Sequence, residues 1–168
     1  FELSGLNKTS APDHGKSRIL MQETASPIRP TDDAARDLAQ RLLHQARTAA
    51  LATVSADGFP NATRIAFLDM NGAGLTIVSS LSAHAQAMMA DPRCAVLVGE
   101  IPGKGDPLAG PRLSLRALAH SVPRDSEDHR HLESLWLAGH PKARLYAGFA
   151  DFHFLRLEWR DASLNGGF

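Results

Sequence analysis

The chain has 168 residues, 43% hydrophobic and 21% charged, an ordinary composition for a folded domain large enough to bury a core. Its 18 basic residues balance 18 acidic ones, which argues against nucleic acid as a partner, and no apolar run is long enough to cross a bilayer as a helix. The single cysteine, Cys94, excludes an internal disulfide and a cysteine-only metal site, and it suits a reducing, cytoplasmic setting.

Residues 1–30 are rich in Ser, Pro, Gly and isolated charges without periodicity, so a tail or an appended extension is expected there, with Met21 reading like a native start. The chain is likewise expected to continue past Phe168. The folded domain is expected over residues 31–168. Its first helix opens at Thr31-Asp32-Asp33, a capping hydroxyl followed by two carboxylates. Ala35, Leu38, Leu42 and Ala46 share one face with Leu43 beside them, an amphipathic stripe for packing on a sheet.

Ala49 to Val54 and Phe59 to Leu68 read as strands joined by Ser55-Ala56-Asp57-Gly58, a hairpin signal. The small residues Ala49, Ala50 and Ala52 mark a crowded place, under another element of the chain or against a flat cofactor or second subunit. Asp69 to Gly74 supplies residues that tolerate positive φ, and Leu75 to Val78 is the returning strand. Ser79-Ser80-Leu81-Ser82 then precedes Ala83 to Ala90, a run of helix formers stopped by Asp91-Pro92.

That arrangement favours an anion. The first turn of a helix leaves N–H groups unpaired at the positive end of the macrodipole. Three serine hydroxyls and the His84 imidazole sit there, with Arg64 on the strand behind, so a phosphate can meet all of them together. The same residues also suit an ordinary serine cap, a surface histidine and a solvated arginine. The residues alone leave both readings open.

Further on, Cys94 to Val98 reads as a central strand, and Glu100 to Pro111 as a loop on its Gly and Pro content. Gly103-Lys104-Gly105 has no Walker spacing and is expected to be a hairpin tip. Arg112 to His120 alternates, with Leu113, Leu115, Ala117 and Ala119 on one face and Arg112, Ser114 and Arg116 on the other. A helix is expected from Asp125-Ser126, with Leu132, Leu135 and Trp136 as its stripe; His129 and His131 face different ways and make no chelating pair, and no metal site is expected. Phe152 to Trp159 is the last expected strand. The sum is a mainly β (α+β) domain, a six- to seven-stranded antiparallel split β-barrel with peripheral helices.

The layout R-x-(apolar)…D-x-x-G-x-(strand)-S-S-x-S-x-H from Arg64 to His84, then a short helix, Asp91-Pro92-Arg93 and an apolar strand, resembles the FMN-binding split barrel family of pyridoxamine 5′-phosphate oxidases. It is most similar to the HugZ-like haem-utilisation branch. Ala50 to Pro60, Tyr146 to Phe152 and Asn165-Gly166-Gly167-Phe168 are similar to it too.

What the resemblance implies is an FMN-binding oxidoreductase acting on a small-molecule substrate. Arg64, Ser79, Ser80, Ser82 and His84, with Leu81 in the same turn, would hold the phosphate. The backbone from Arg64 through Ile65 and Ala66 to Phe67 would follow the isoalloxazine, and Arg112 is a candidate contact, across a dimer if not within the chain. The family also implies a homodimer with the flavin at the subunit interface. Asp69 and His84 stand where the vitamin B6-oxidising branch has cations, which argues against that substrate. No acid–base pair stands out and no catalytic residue is nominated, as expected where a flavin carries the redox chemistry. A haem-binding or haem-degrading protein of the HugZ-like kind is the second reading, supported by the local similarity and the eight histidines. A non-enzymatic barrel serving as an interaction module is the third.

Overall fold

A computed structural model describes residues 31–99 and 102–167 of the chain. The expected tail, residues 1–30, lies outside the described residues, as do Phe168 and two residues of the 100–111 loop. The elements run α1 (Asp33–Gln45), β1 (Thr48–Val54), β2 (Pro60–Ala66), β3 (Leu68–Asp69), β4 (Ala73–Ser79), α2 (Ala83–Ala90), β5 (Arg93–Val98), β6 (Arg112–Ser121), α3 (Glu127–Gly139), a 3₁₀ turn (Pro141–Leu145) and β7 (Phe152–Asn165). The strands form one antiparallel sheet in the order β2-β1-β5-β6-β7-β4-β3.

The two ends of that order are consecutive in the chain. β2 pairs with β1 from Pro60 to Ala66, and after a break at Phe67 the chain pairs with β4 as β3, through Leu68↔Leu75 and Asp69↔Gly74. The sheet therefore curls into a split barrel, its two edges joined through the chain at Phe67. Between β2 and β4 no ladder is described. They are pinned at one point by the fully buried Thr76, whose hydroxyl donates to the Ala66 carbonyl at 2.8 Å. The strand expected unbroken from Phe59 to Leu68 is thus two strands, because the two ends of the curled sheet need different neighbours. Phe67 itself donates its N–H to the Arg47 carbonyl at 2.9 Å.

Alternation sets the interior. Leu51, Ile65, Val96, Leu113, Leu115, Leu155 and Leu157 fill the barrel, and Ala85 and Met88 of α2 complete this cluster. The other side of β4 and β7 is buried as well, where Leu75, Ile77 and Phe154 meet Leu132 and Trp136 of α3. Burial on both sides explains why β4 reads as a nearly continuous apolar run. β1 alternates instead: Ala49 points inward, while Ala50 and Ala52 lie exposed on the outer face.

Several local expectations shift. The cap of α1 is the Asp32 carboxylate, which accepts from Ala35 N at 2.8 Å, not the Thr31 hydroxyl. In α3 the buried stripe is His129, Leu132 and Trp136; Leu135 is exposed, and His129 packs edge-on against Phe154. The 69–74 reversal is tighter than expected, with Met70 N donating to Ala73 O and positive φ at Asn71 and Gly72. Gly74 belongs to β4, and its missing side chain has a packing cause: a Cβ there would lie 2.7 Å from both Phe67 and Trp159. β7 runs on to Asn165, pairing with β6 across an irregularity at Arg116/Ala117. Trp159 packs into the barrel cluster.

Candidate functional site

The gap between β2 and β4 holds an open pocket of about 300 Å³. β2 contributes Arg64, Ile65 and Ala66, β4 contributes Ile77, Val78 and Ser79, the head of α2 gives Ser82 and His84, and Tyr146 and Phe152 close the far wall. The Tyr146 and Phe152 rings lie 5.0 Å apart. The turn carrying them is organised by Arg124, whose guanidinium donates to the carbonyls of Ala147, Phe149 and Phe152.

The polar groups of the pocket are mostly occupied by one another. Ser79 donates its hydroxyl proton to the Asp151 carboxylate at 2.6 Å and accepts from Leu81 N at 3.2 Å. Asp151 is tied in further, since its carbonyl accepts from Ser80 N at 2.7 Å. The Ser82 hydroxyl lies 2.7 Å from the Ser79 carbonyl, a group that can only accept, so its one proton goes there. Its lone pairs then face His84 Nε2 at 3.2 Å and Ala85 N at 3.4 Å, the second being the cap of α2. His84 is half-buried, and desolvation pushes its pKa below the ordinary value of 6.5, which keeps the imidazole neutral near pH 7. Arg64 enters no ion pair among the described residues.

Of the residues singled out in the sequence, the pocket joins Arg64, Ile65, Ala66, Ser79, Ser82 and His84. The others lie elsewhere. Phe67 is wholly buried in the barrel, Leu81 projects into solvent, and Ser80 is outside the lining. Arg112 folds back on its own loop, donating to the carbonyls of Leu108 at 3.1 Å and Gly110 at 3.4 Å. β6 stands three strands away from β2, roughly 14 Å at the usual strand spacing. Sequence reasoning did not place Tyr146 and Phe152 in the lining, or Asp151 behind Ser79, although all three fall in the Tyr146 to Phe152 stretch that carries part of the resemblance.

Arg64 also borders a second surface. Across the outer face of the sheet run the cross-strand rows Arg64–Ala50–Leu97–Ser114 and Ala62–Ala52–Ala95–Arg116. Side chains that end at Cβ make its centre flat and apolar, and an Arg116–Asp161 ion pair edges it.

The model of the pyridoxamine 5′-phosphate oxidase family matches residues 35–165. The chain belongs to this family. Among curated proteins it is similar to the non-canonical haem oxygenase HOZ, chloroplastic, of Arabidopsis thaliana, 33% identical over 103 residues, which is 61% of this chain and 30% of that protein. The chain therefore spans less than a third of that relative's length. Among solved structures, Atu2129 of Agrobacterium tumefaciens str. C58 is 32% identical with a TM-score of 0.72, over 84% of this chain and 61% of that one. HutZ of Vibrio cholerae, a haem storage protein, shares the fold at 23% identity and a TM-score of 0.69, over 76% of this chain and 91% of that one. This family member thus has the split barrel with its pocket at the seam, and among the described residues no helix is long and apolar enough to cross a membrane.

Proposed function

We propose that this family member binds haem, as substrate or cargo, in the seam pocket, and that it does so as a homodimer whose second copy covers the outer alanine face. The observation that carries the reading is the donor set. A phosphate dianion needs several N–H or O–H donors, yet the Ser79 and Ser82 protons are committed to Asp151 and to Ser79 itself, and His84 is neutral. Besides the head of α2, the pocket offers one guanidinium, one neutral imidazole and a wall of Ile65, Ile77, Val78, Tyr146 and Phe152. That set suits a planar apolar ring bearing carboxylates: Arg64 would pair with a propionate, and the aliphatic and aromatic walls would exclude water from the ring. The names of the Arabidopsis relative and of the Vibrio structure support the same reading.

FMN is the second reading, and one observation favours it: Arg64, Ser79, Ser82 and His84 do line one pocket at the head of a helix. The two separate in one experiment. The purified protein is stripped and titrated in parallel with haemin and with FMN, following the Soret band and the flavin fluorescence. Saturable haemin binding that weakens in Arg64→Ala, with FMN bound no better than riboflavin, supports haem. Tight FMN uptake with no Soret shift on haemin addition would move the protein to the flavin side of its family.

A further inference from the structure

The pocket's selectivity has a determinant just behind its lining, in Asp151, which holds the lining hydroxyl of Ser79. The serine turn at the head of α2 has the outline of a phosphate cradle: a helix N-terminus, two lining hydroxyls and an arginine opposite. Asp151 reverses its polarity in two ways. Its Oδ2 takes the Ser79 proton at 2.6 Å, so Ser79 meets a ligand with lone pairs alone. It also stands a carboxylate one hydrogen bond behind the lining Ser79, so its charge repels a phosphate that reaches that hydroxyl. Its position is fixed at both ends, because the Asp151 carbonyl is held by Ser80 N and the Phe152 carbonyl beside it by Arg124.

We infer that Asp151 is a specificity residue that excludes phosphate dianions from the seam pocket and reserves it for ligands whose anionic groups carry a single charge, such as carboxylates. The inference stands on the Ser79–Asp151 geometry and does not require haem to be the physiological ligand. Asp151→Asn is the conservative change: the amide oxygen still accepts from Ser79, and the charge is gone.

The test uses FMN and riboflavin, which differ only by the phosphate, titrated into the whole chain by fluorescence quenching at low ionic strength. In the wild type the two are expected to bind alike. In Asp151→Asn the FMN-to-riboflavin affinity ratio is expected to rise by about tenfold or more, the scale of removing one like charge at close range, and added salt should shrink the gain. Ser79→Ala, which keeps the carboxylate, should leave the ratio near one. Thermal melts confirm that each variant folds. A wild type that already prefers FMN strongly overturns the inference. So does an Asp151→Asn protein whose ratio is unchanged, or one that takes up neither flavin. Haemin titration of the same samples reads the proposed function separately, since loss of haem binding in the wild type sinks that reading and leaves the flavin ratio to decide this one.

Discussion

At the scale of single residues, burial sets chemistry at two titratable groups. Cys94 faces the barrel interior, its thiol 3.7 Å from the Ala117 carbonyl, and desolvation pushes its pKa up to about 11. Since the thiolate is the reactive form, Cys94 should resist alkylation at pH 8 in the native protein and react at once in denaturant. Thiol titration with and without urea checks this, and rapid native labelling would contradict the burial. His84 is shifted the other way, below 6.5, by the cost of charging it inside the pocket. The native state then binds fewer protons than the unfolded chain in the interval just below pH 6.5. Stability from this group is therefore complete above that pH and declines as pH falls through it. Urea midpoints between pH 7.5 and 5.5 should show a decline that His84→Gln reduces. An identical decline in the variant would assign the effect to other groups.

At the scale of elements, the barrel depends on how the broken β2–β3 strand packs against β4. Gly74 sits where Phe67 and Trp159 converge, and Gly74→Ala places a methyl 2.7 Å from both rings. Phe67 is fully buried and Trp159 partly so, and neither ring can shift without disturbing the core it packs on, so the variant should lose about 1–3 kcal/mol. Denaturant unfolding measures this, and an unchanged midpoint would show the rings free to move aside. This junction also shows what the sequence makes legible. Alternation over Leu113 to Ala119, the Ser82 cap and the stop at Asp91-Pro92 are local signals, and the folded elements match them. The partner change at Phe67 is a long-range choice of register, as is the extension of β7 past Trp159, where Arg160 and Asp161 look polar enough to end a strand. At the site, the sidedness of Arg112 was readable but its lateral distance was not. The Ser79–Asp151 contact joins residues 72 apart in sequence, beyond the reach of any spacing rule.

At the scale of the whole molecule, the outer face of β2, β1 and β5 is a feature that nothing among the described residues covers. Its centre is built from Ala50, Ala52, Ala62 and Ala95, with Leu97 and Val54 exposed beside them. A solvated sheet face ordinarily alternates apolar-in with polar-out, and this face breaks that pattern over the three strands next to the pocket. Small side chains permit close approach by another sheet or by a planar ring, and Arg64 joins this surface to the pocket. The proposed homodimer uses both properties, because one copy would cover the alanine rows of the other and close the seam over its ligand. Ala52→Arg tests it at the centre of the face. An unpaired guanidinium buried there costs roughly 3–5 kcal/mol, so the dimerisation constant should weaken by more than about a hundredfold. Sedimentation across a dilution series should show a wild-type dimer at micromolar concentration and a monomeric variant with an unaltered thermal midpoint at matched monomer state. Haemin affinity should fall with the loss of the dimer. If the wild type sediments as a monomer while still binding haemin, the seam pocket suffices alone and the alanine face serves another partner.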